Sequence, residues 1–400
     1  MASLPIKLTA KLEERAQQNT LRTLPFSTNL VDFFSNDYIG FAHNATIFQN
    51  ASALLKERNM LHNGATGSRL ISGNHSLYAE VENYIAAFHH TEAALVFNSG
   101  YDANVGFFSA VPQRSDLIFY DEFIHASIRD GIAMSNAKGY KYKHNDLNDL
   151  KAVIHRVCTA LDATKEGQLS QLGQREIYVV TEAVFSMDGD APDLEALVAF
   201  CSRQNFHLVV DEAHAIGVFG DKGQGLLYEL GLHNQVFAHI VTYGKAMGCH
   251  GASILGSQQL KAFLVNFARS FIYTTGLPPH AIATMMAAYR ELSNTNEAVP
   301  LTASRLDLVQ NIDYFRSQLA ALALTSFFIP SNSAIHCCVI AGNEKVNAIA
   351  SALQKKGFAI KAIVAPTVPK GQERLRFCLH SYNKKEEIQE VLTALKGLIS

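Results

Sequence analysis

A lysine set among small residues can act as a nucleophile rather than a surface charge. In HIVTYGKAMG (239–248) an apolar run ends at Tyr243, and Lys245 follows among Gly244, Ala246 and Gly248. Small residues let a bulky group approach the backbone. Apolar surroundings lower an amine's pKa and make it a good imine former. The plainer alternative is an exposed lysine, the usual state of that residue. In HLVVDEAHAIGVFG (207–220) a second apolar run ends in Asp211, with Glu212 and His214 just beyond. A helicase-type box would need an upstream G-x-x-x-x-G-K-[ST], and the chain has none. A metal site would need a matching second histidine. Two readings stay open for this segment: a capped strand end, and a carboxylate fixed at a strand end to face a ligand.

Three further segments carry polar groups just past apolar runs. TEAVFSMDGDAPDL (181–194) holds Glu182, Ser186, Asp188 and Asp190, and is readable as a functional loop or as a polar turn capping a helix near Asp193. FNSGYDANVGFF (97–108) places Ser99, Gly100 and Tyr101 where a helix begins. The free N–H groups of such a terminus bind phosphate well. The segment lacks G-x-G-x-x-G, which counts against a dinucleotide site. YDEFIHASIRDG (120–131) puts His125 past another run; a lone histidine is as readable as structural.

The positioning elements follow from periodicity. Short apolar runs at 94–97, 117–120, 177–180, 207–211, 239–243 and 252–255 read as strands, with helices expected at 101–110, 125–135, 146–160 and 193–204. Continuous apolar strands alternating with helices predict an α/β fold with a mostly parallel central sheet covered by helices. Ligands on such sheets sit at the carboxyl ends of the strands. Upstream, a polar helix is expected at 8–20, an extended stretch at 30–34, and helices at 46–60 and 76–88. The loop NGATGSRLISGN (63–74) lies between those two helices. A polar insertion is expected at 162–174 and a break at 294–300. Beyond it the order helix (301–320), strand (335–340), helix (343–356), strands (358–364, 373–379) and helix (384–398) predicts a smaller C-terminal α+β domain. The expected organisation is an N-terminal helix and arm (1–45), a large ligand-binding domain (46–290) and the small domain (291–400), completed by the arm.

Composition narrows the classes. The chain has 400 residues, 48% hydrophobic and 18% charged, with a formal net charge of -2. That is enough for more than one core, and no basic surplus points to nucleic acid. None of the six cysteines forms a C-x-x-C pair, so neither a zinc site nor a disulfide framework is suggested. The start lacks the apolar core of a signal peptide, and no apolar run is long enough to span a bilayer. A soluble, cytoplasmic protein is expected.

Taken together, a lysine, an aspartate, a phosphate-binding helix start and a histidine all fall at strand ends of one sheet. Pyridoxal 5'-phosphate needs that set: an imine-forming lysine, a carboxylate keeping the pyridine nitrogen protonated, an anion cradle and a ring on the cofactor's face. With these groups in view, the chain resembles the α-oxoamine synthases, a subgroup of fold-type I pyridoxal-phosphate transferases. The resemblance runs from about Leu12 to Ile388 through SNDYIG, SGYDAN, HAS, TEAVFSMDGD, DEAHAIGVFG, TYGKAMG, FIYTTGLPP and PTVPKGQERLR.

The resemblance implies specific roles. Lys245 would carry the cofactor and move protons, Asp211 would pair with the ring nitrogen, and His125 would stack on the ring. Ser186 and His214 would contact the phenolic oxygen. Gly100, Tyr101 and Thr242 would hold the phosphate, with Thr274 or Thr275 added from a neighbouring subunit of a homodimer. Asn36 and Arg376 would hold the amino-acid carboxylate, and Thr367 would touch substrate. The blocks look most like members that join L-alanine to a pimeloyl thioester, carried on CoA or a carrier protein, with loss of carbon dioxide. Arg22 matches an arginine associated with the pimeloyl carboxylate, whereas Val364 stands where some members have an arginine. Members using glycine or serine, or longer acyl chains, are the alternatives.

Overall fold

The computed structural model describes residues 4–18, 20–22, 24, 29–162, 175–294 and 302–399. The insertion expected at 162–174 lies outside them beyond its first residue, and so does nearly all of the break at 294–300.

The central sheet has seven strands: β2 (Ala93–Phe97), β3 (Leu117–Asp121), β4 (Lys138–Tyr142), β5 (Ile177–Glu182), β6 (His207–Asp211), β7 (Ala238–Thr242) and β8 (Ala252–Gly256). Their spatial order is β2-β8-β7-β6-β5-β3-β4. Strands β4, β3, β5, β6 and β7 pair in parallel, and β8 runs against both β7 and β2. Because β2 and β7 are both antiparallel to the strand between them, they point the same way. Six strands therefore bring their carboxyl ends to one rim, and only β8 is reversed.

The physical reason is burial on both faces. Val179, Val180, Val210, Ile240 and Val241 are fully buried, and each such side chain contributes about 1.5–3 kcal/mol over its exposed state. The edge strand β4, KGYKY, is mostly exposed. It carries lysines where unpaired edges are commonly protected by charge, so it lacks the apolar signature of its neighbours.

Helices leave the rim with local caps. In α4 (Gly100–Ala110) the Ser99 side chain accepts the Asp102 N–H. In α5 (Ala126–Met134) the His125 ring accepts the Ser127 N–H. Asp193 caps Leu194–Gln204 through the Ala196 N–H, at 2.9 Å, as the turn reading of that segment expects. Upstream lie α1 (Ile6–Gln17), α2 (Ala45–Glu57) and α3 (Ser76–Phe88).

A second sheet joins β9 (Ile335–Val339), β11 (Lys361–Ile363) and β12 (Arg374–Cys378), antiparallel in the order β11-β12-β9. The N-terminal β1 (Val31–Asp32) pairs in parallel with β10 (Phe358–Ala359). The single strand expected at 358–364 is thus two short ones, interrupted at Ile360 and belonging to different sheets. No helix among the described residues is long and apolar enough to cross a membrane.

Candidate active site

At the rim, a cavity of about 260 Å³ is lined by groups from five strand ends. Gly100 and Tyr101 follow β2, His125 follows β3, Glu182 ends β5, Asp211 ends β6, and Thr242 and Lys245 come from the end of β7. Asn36 reaches the same cavity from the N-terminal segment.

One side is a continuous polar network. Asp211 accepts from Asn104 Nδ2 through Oδ2 at 2.9 Å and from the Ala213 N–H through Oδ1 at 2.9 Å. Asn104 Nδ2 also donates to Ser127 Oγ at 3.0 Å. Ser127 Oγ lies 2.7 Å from His125 Nδ1, which accepts the Ser127 N–H at 3.2 Å. That acceptor role leaves Nδ1 without a proton, so neutral His125 carries its proton on Nε2. Burial lowers the His125 pKa, although Asp211 pulls it upward. The His125 backbone N–H donates to Glu182 Oε1 at 2.6 Å.

The other side is a relay of rings. Lys245 Nζ lies 2.8 Å from His214 Nε2, and His214 Nδ1 lies 2.7 Å from Tyr38 Oη. Tyr38 donates to Asn36 Oδ1 at 3.0 Å, which also accepts from Arg376 Nη2 at 2.9 Å. Arg376 Nε donates to the Ser186 carbonyl at 2.7 Å. Burial, with Lys245 and Arg376 close by, holds His214 far below its ordinary value and therefore neutral. Burial also pushes the Lys245 amine down to about 8, against the opposing pull of Asp211 and Glu182. Burial and the Asp211 charge push the Glu182 carboxyl well above the usual carboxylate range.

The third end is built for an anion. α4 points its N-terminus at the cavity, and Thr242 Oγ1 is buried there without a hydrogen-bond partner. Gly100 is required by close approach, since a Cβ on it would lie 2.6 Å from Thr242 Cγ2.

Not every expected residue joins this cavity. Ser186 and Thr367 line a neighbouring one of about 380 Å³, which shares His125 with the first. Thr274 and Thr275 do not line the cavity of their own chain; Asn98 Nδ2 donates to Thr274 Oγ1 at 3.0 Å and to the Thr275 carbonyl at 2.7 Å. Arg22 is exposed and lines neither cavity. Val364 packs half-buried against the core. Sequence reasoning gave no role to Tyr38, Asn104 or Ser127, and noted Glu182 only as a polar loop residue. Asn104 lay within reach, because it sits one helical turn past Gly100 and therefore faces the same way.

The donor set fits pyridoxal phosphate. It combines an amine held largely out of water, a fixed carboxylate across the cavity, and a helix start beside an unsatisfied hydroxyl. Comparison with known proteins agrees. The aminotransferase class I and II family model matches residues 28–395. The 8-amino-7-oxononanoate synthase of Emericella nidulans is 39% identical over 394 residues, covering 96% of this chain and 92% of that one. The crystal structure of 8-amino-7-oxononanoate synthase from Francisella tularensis superposes with a TM-score of 0.72 at 27% identity, covering 92% of this chain and 97% of that one. A serine palmitoyltransferase of Sphingomonas wittichii gives a TM-score of 0.83 at 24% identity, over 99% and 98% of the two chains, a likeness of fold. The chain belongs to the α-oxoamine synthase family of fold-type I pyridoxal-phosphate enzymes.

Proposed function

We propose that this enzyme condenses L-alanine with a pimeloyl thioester, on CoA or an acyl carrier protein, releasing the thiol, carbon dioxide and 8-amino-7-oxononanoate. The observation that carries the amino-acid half is the relay from Lys245 Nζ through His214, Tyr38 and Asn36 to Arg376. An amine and a guanidinium stand at opposite ends of this hydrogen-bonded chain, whose Lys245 and Asn36 line the cavity, which supports the reading of Arg376 as the carboxylate anchor. The acyl half is supported by the named relatives from Emericella nidulans and Francisella tularensis.

Bound pyridoxal phosphate supplies a carbonyl for the amine and a ring that draws electrons from the amino acid's α-carbon. Asp211 would hold the ring nitrogen, with Asn104 fixing the carboxylate's angle. Gly100, Tyr101 and Thr242 would take the phosphate, joined by Thr274 or Thr275 of the partner subunit in a homodimer. Ser186 and His214 would flank the phenolic oxygen. Arg376 and Asn36 would hold the substrate carboxylate. Lys245, with its lowered pKa, would take up and return a proton at Nζ near neutral pH. His125 would cover the ring face and donate Nε2–H to the thioester carbonyl oxygen.

The test is a panel on the purified holoenzyme. Alanine, glycine and serine are each combined with acetyl, pimeloyl and palmitoyl thioesters, and the products are weighed by mass spectrometry. Alanine with the pimeloyl donor should dominate. A preference for glycine, serine or the palmitoyl donor would overturn the substrate assignment.

A further inference from the structure

The cavity beyond His125 has a wall chemistry that the reaction at Lys245 does not explain. Phe123, Ile124, Phe185, Met187 and Val368 give it an apolar lining. Two guanidinium groups, from Arg129 and Arg374, also face it. They are in different electrostatic states. Arg374 is buried, ion-paired with Asp188, and donates to the Gln372 carbonyl at 2.8 Å and the Met187 carbonyl at 3.1 Å. Its charge and donors are spent on holding β12 against the loop after β5. Arg129 is exposed, and among the described residues no carboxylate lies within ion-pairing distance of it. Neither acid on this cavity is ion-paired with it: Asp188 pairs with Arg374, and Glu122 lies beyond ion-pairing distance of Arg129.

Position matters as much as charge. His125 caps α5 and Arg129 is four residues further, so the two lie on one face, just over a turn apart, or about 6 Å of rise. The Arg129 N–H closes that turn on the His125 carbonyl, at 3.3 Å. A chain whose reacting carbonyl sits at His125 and whose methylenes follow the apolar wall meets the Arg129 guanidinium further along. An exposed guanidinium with no ion-pair partner among the described residues, on the wall of a cavity with several apolar side chains, suits a carboxylate, which it can bind through paired N–H donors.

We infer that Arg129 is a specificity-determining residue for the acyl donor, binding a terminal carboxylate on an acyl chain that occupies the cavity beyond His125. This rests on the reading that the enzyme condenses an amino acid with an acyl thioester.

The test compares two donors of equal length, pimeloyl and heptanoyl thioesters on the same carrier, which differ only in a terminal carboxylate or methyl group. Holoenzyme, Arg129→Ala and Arg129→Lys are assayed with alanine. Wild type should favour the pimeloyl donor. In Arg129→Ala the ratio of kcat/KM for pimeloyl over heptanoyl should fall about tenfold or more, chiefly through the pimeloyl KM, with Arg129→Lys recovering part of it. The alanine-dependent change in the cofactor's visible absorbance reports that each variant is folded and loaded. An unchanged ratio, or an equal loss on both donors, overturns the role of Arg129 while leaving the proposed reaction standing. Wild type that turns over neither donor with alanine overturns the reaction itself.

Discussion

Glu182 and Asp211 are register partners at the carboxyl ends of the adjacent parallel strands β5 and β6, and both line the cavity that holds Lys245. Two buried carboxyl groups this close resist double ionisation. Glu182 yields, because burial and the Asp211 charge both favour its protonated form. A carboxyl group whose folded pKa is raised binds protons more tightly in the native state. It therefore costs stability as pH rises above the ordinary carboxylate range, and the cost stops growing above its folded pKa.

Glu182→Gln removes that titration and keeps an oxygen for the His125 N–H, which now binds Oε1 at 2.6 Å. Relative to wild type, the variant should gain thermal stability between about pH 4.5 and pH 8 and gain nothing at pH 4, by the carboxylate's ordinary pKa. Glu182→Ala should lack this recovery, since the His125 amide loses its acceptor. Melting curves across pH on the cofactor-free protein check both. A Gln variant less stable than wild type at pH 8 would contradict the account.

Lys245→Ala should lower turnover by about 10²–10⁴-fold or more, the range of a lost acid–base group, with loss of the cofactor link added. Its visible absorbance after reconstitution should differ from wild type. Because burial lowers the Lys245 amine to about 8, the limb of the pH profile on which cofactor loading rises, as the amine loses its proton, should lie near that value and far below an exposed lysine's ordinary value of about 10.4. Loading followed by absorbance across pH 6–10 measures it.

How much of this was legible in sequence depended on how local each signal was. Lys245, Asp211 and Gly100 stand directly after apolar runs, so a strand-end argument finds them. The strand-end reading did not extend to β4, because an exposed edge with lysines looks like loop. The reversal of β8 was invisible, since direction is set by pairing partners and not by local pattern. Asn36 and Arg376 meet through a hydrogen bond across 340 residues of chain, and only family resemblance linked them beforehand. Tyr38 was missed because its partners, His214 and Asn36, belong to different elements.

Arg376→Ala should raise the KM for the amino acid by about 10–100-fold, matching the loss of one charge-assisted hydrogen bond to a carboxylate. Arg376→Lys should rescue little. A lysine cannot hold the Asn36 side chain and the Ser186 carbonyl with separate arms of a planar fork, as Arg376 does. Initial rates against alanine concentration separate KM from kcat. Equal kcat loss with an unchanged KM would count against a carboxylate anchor.

His144 ties the rim together from behind. Its Nδ1 lies 2.9 Å from Asp121 at the end of β3, and its Nε2 lies 2.9 Å from Asp190 in the loop after β5. The ring also packs against Phe123 and Phe185, with centroids 4.5 Å away in each case. Burial alone would lower its pKa, but the hydrogen bonds and charges of the two aspartates outweigh it and raise the value to about 9. A histidine with a raised folded pKa contributes stability that is fully present below its ordinary value of about 6.5. That contribution is lost as pH rises through 9. Allowing for screening at its partly open edge, it should amount to about 1–2 kcal/mol. His144→Gln should therefore lower the melting temperature at pH 6 and converge on wild type near pH 10. Since Phe123 and Phe185 also line the cavity beyond His125, the variant should raise the KM for the acyl donor more than that for the amino acid. A stability deficit as large at pH 10 as at pH 6 would mean that packing of the ring, rather than its charge, holds the two aspartates in place.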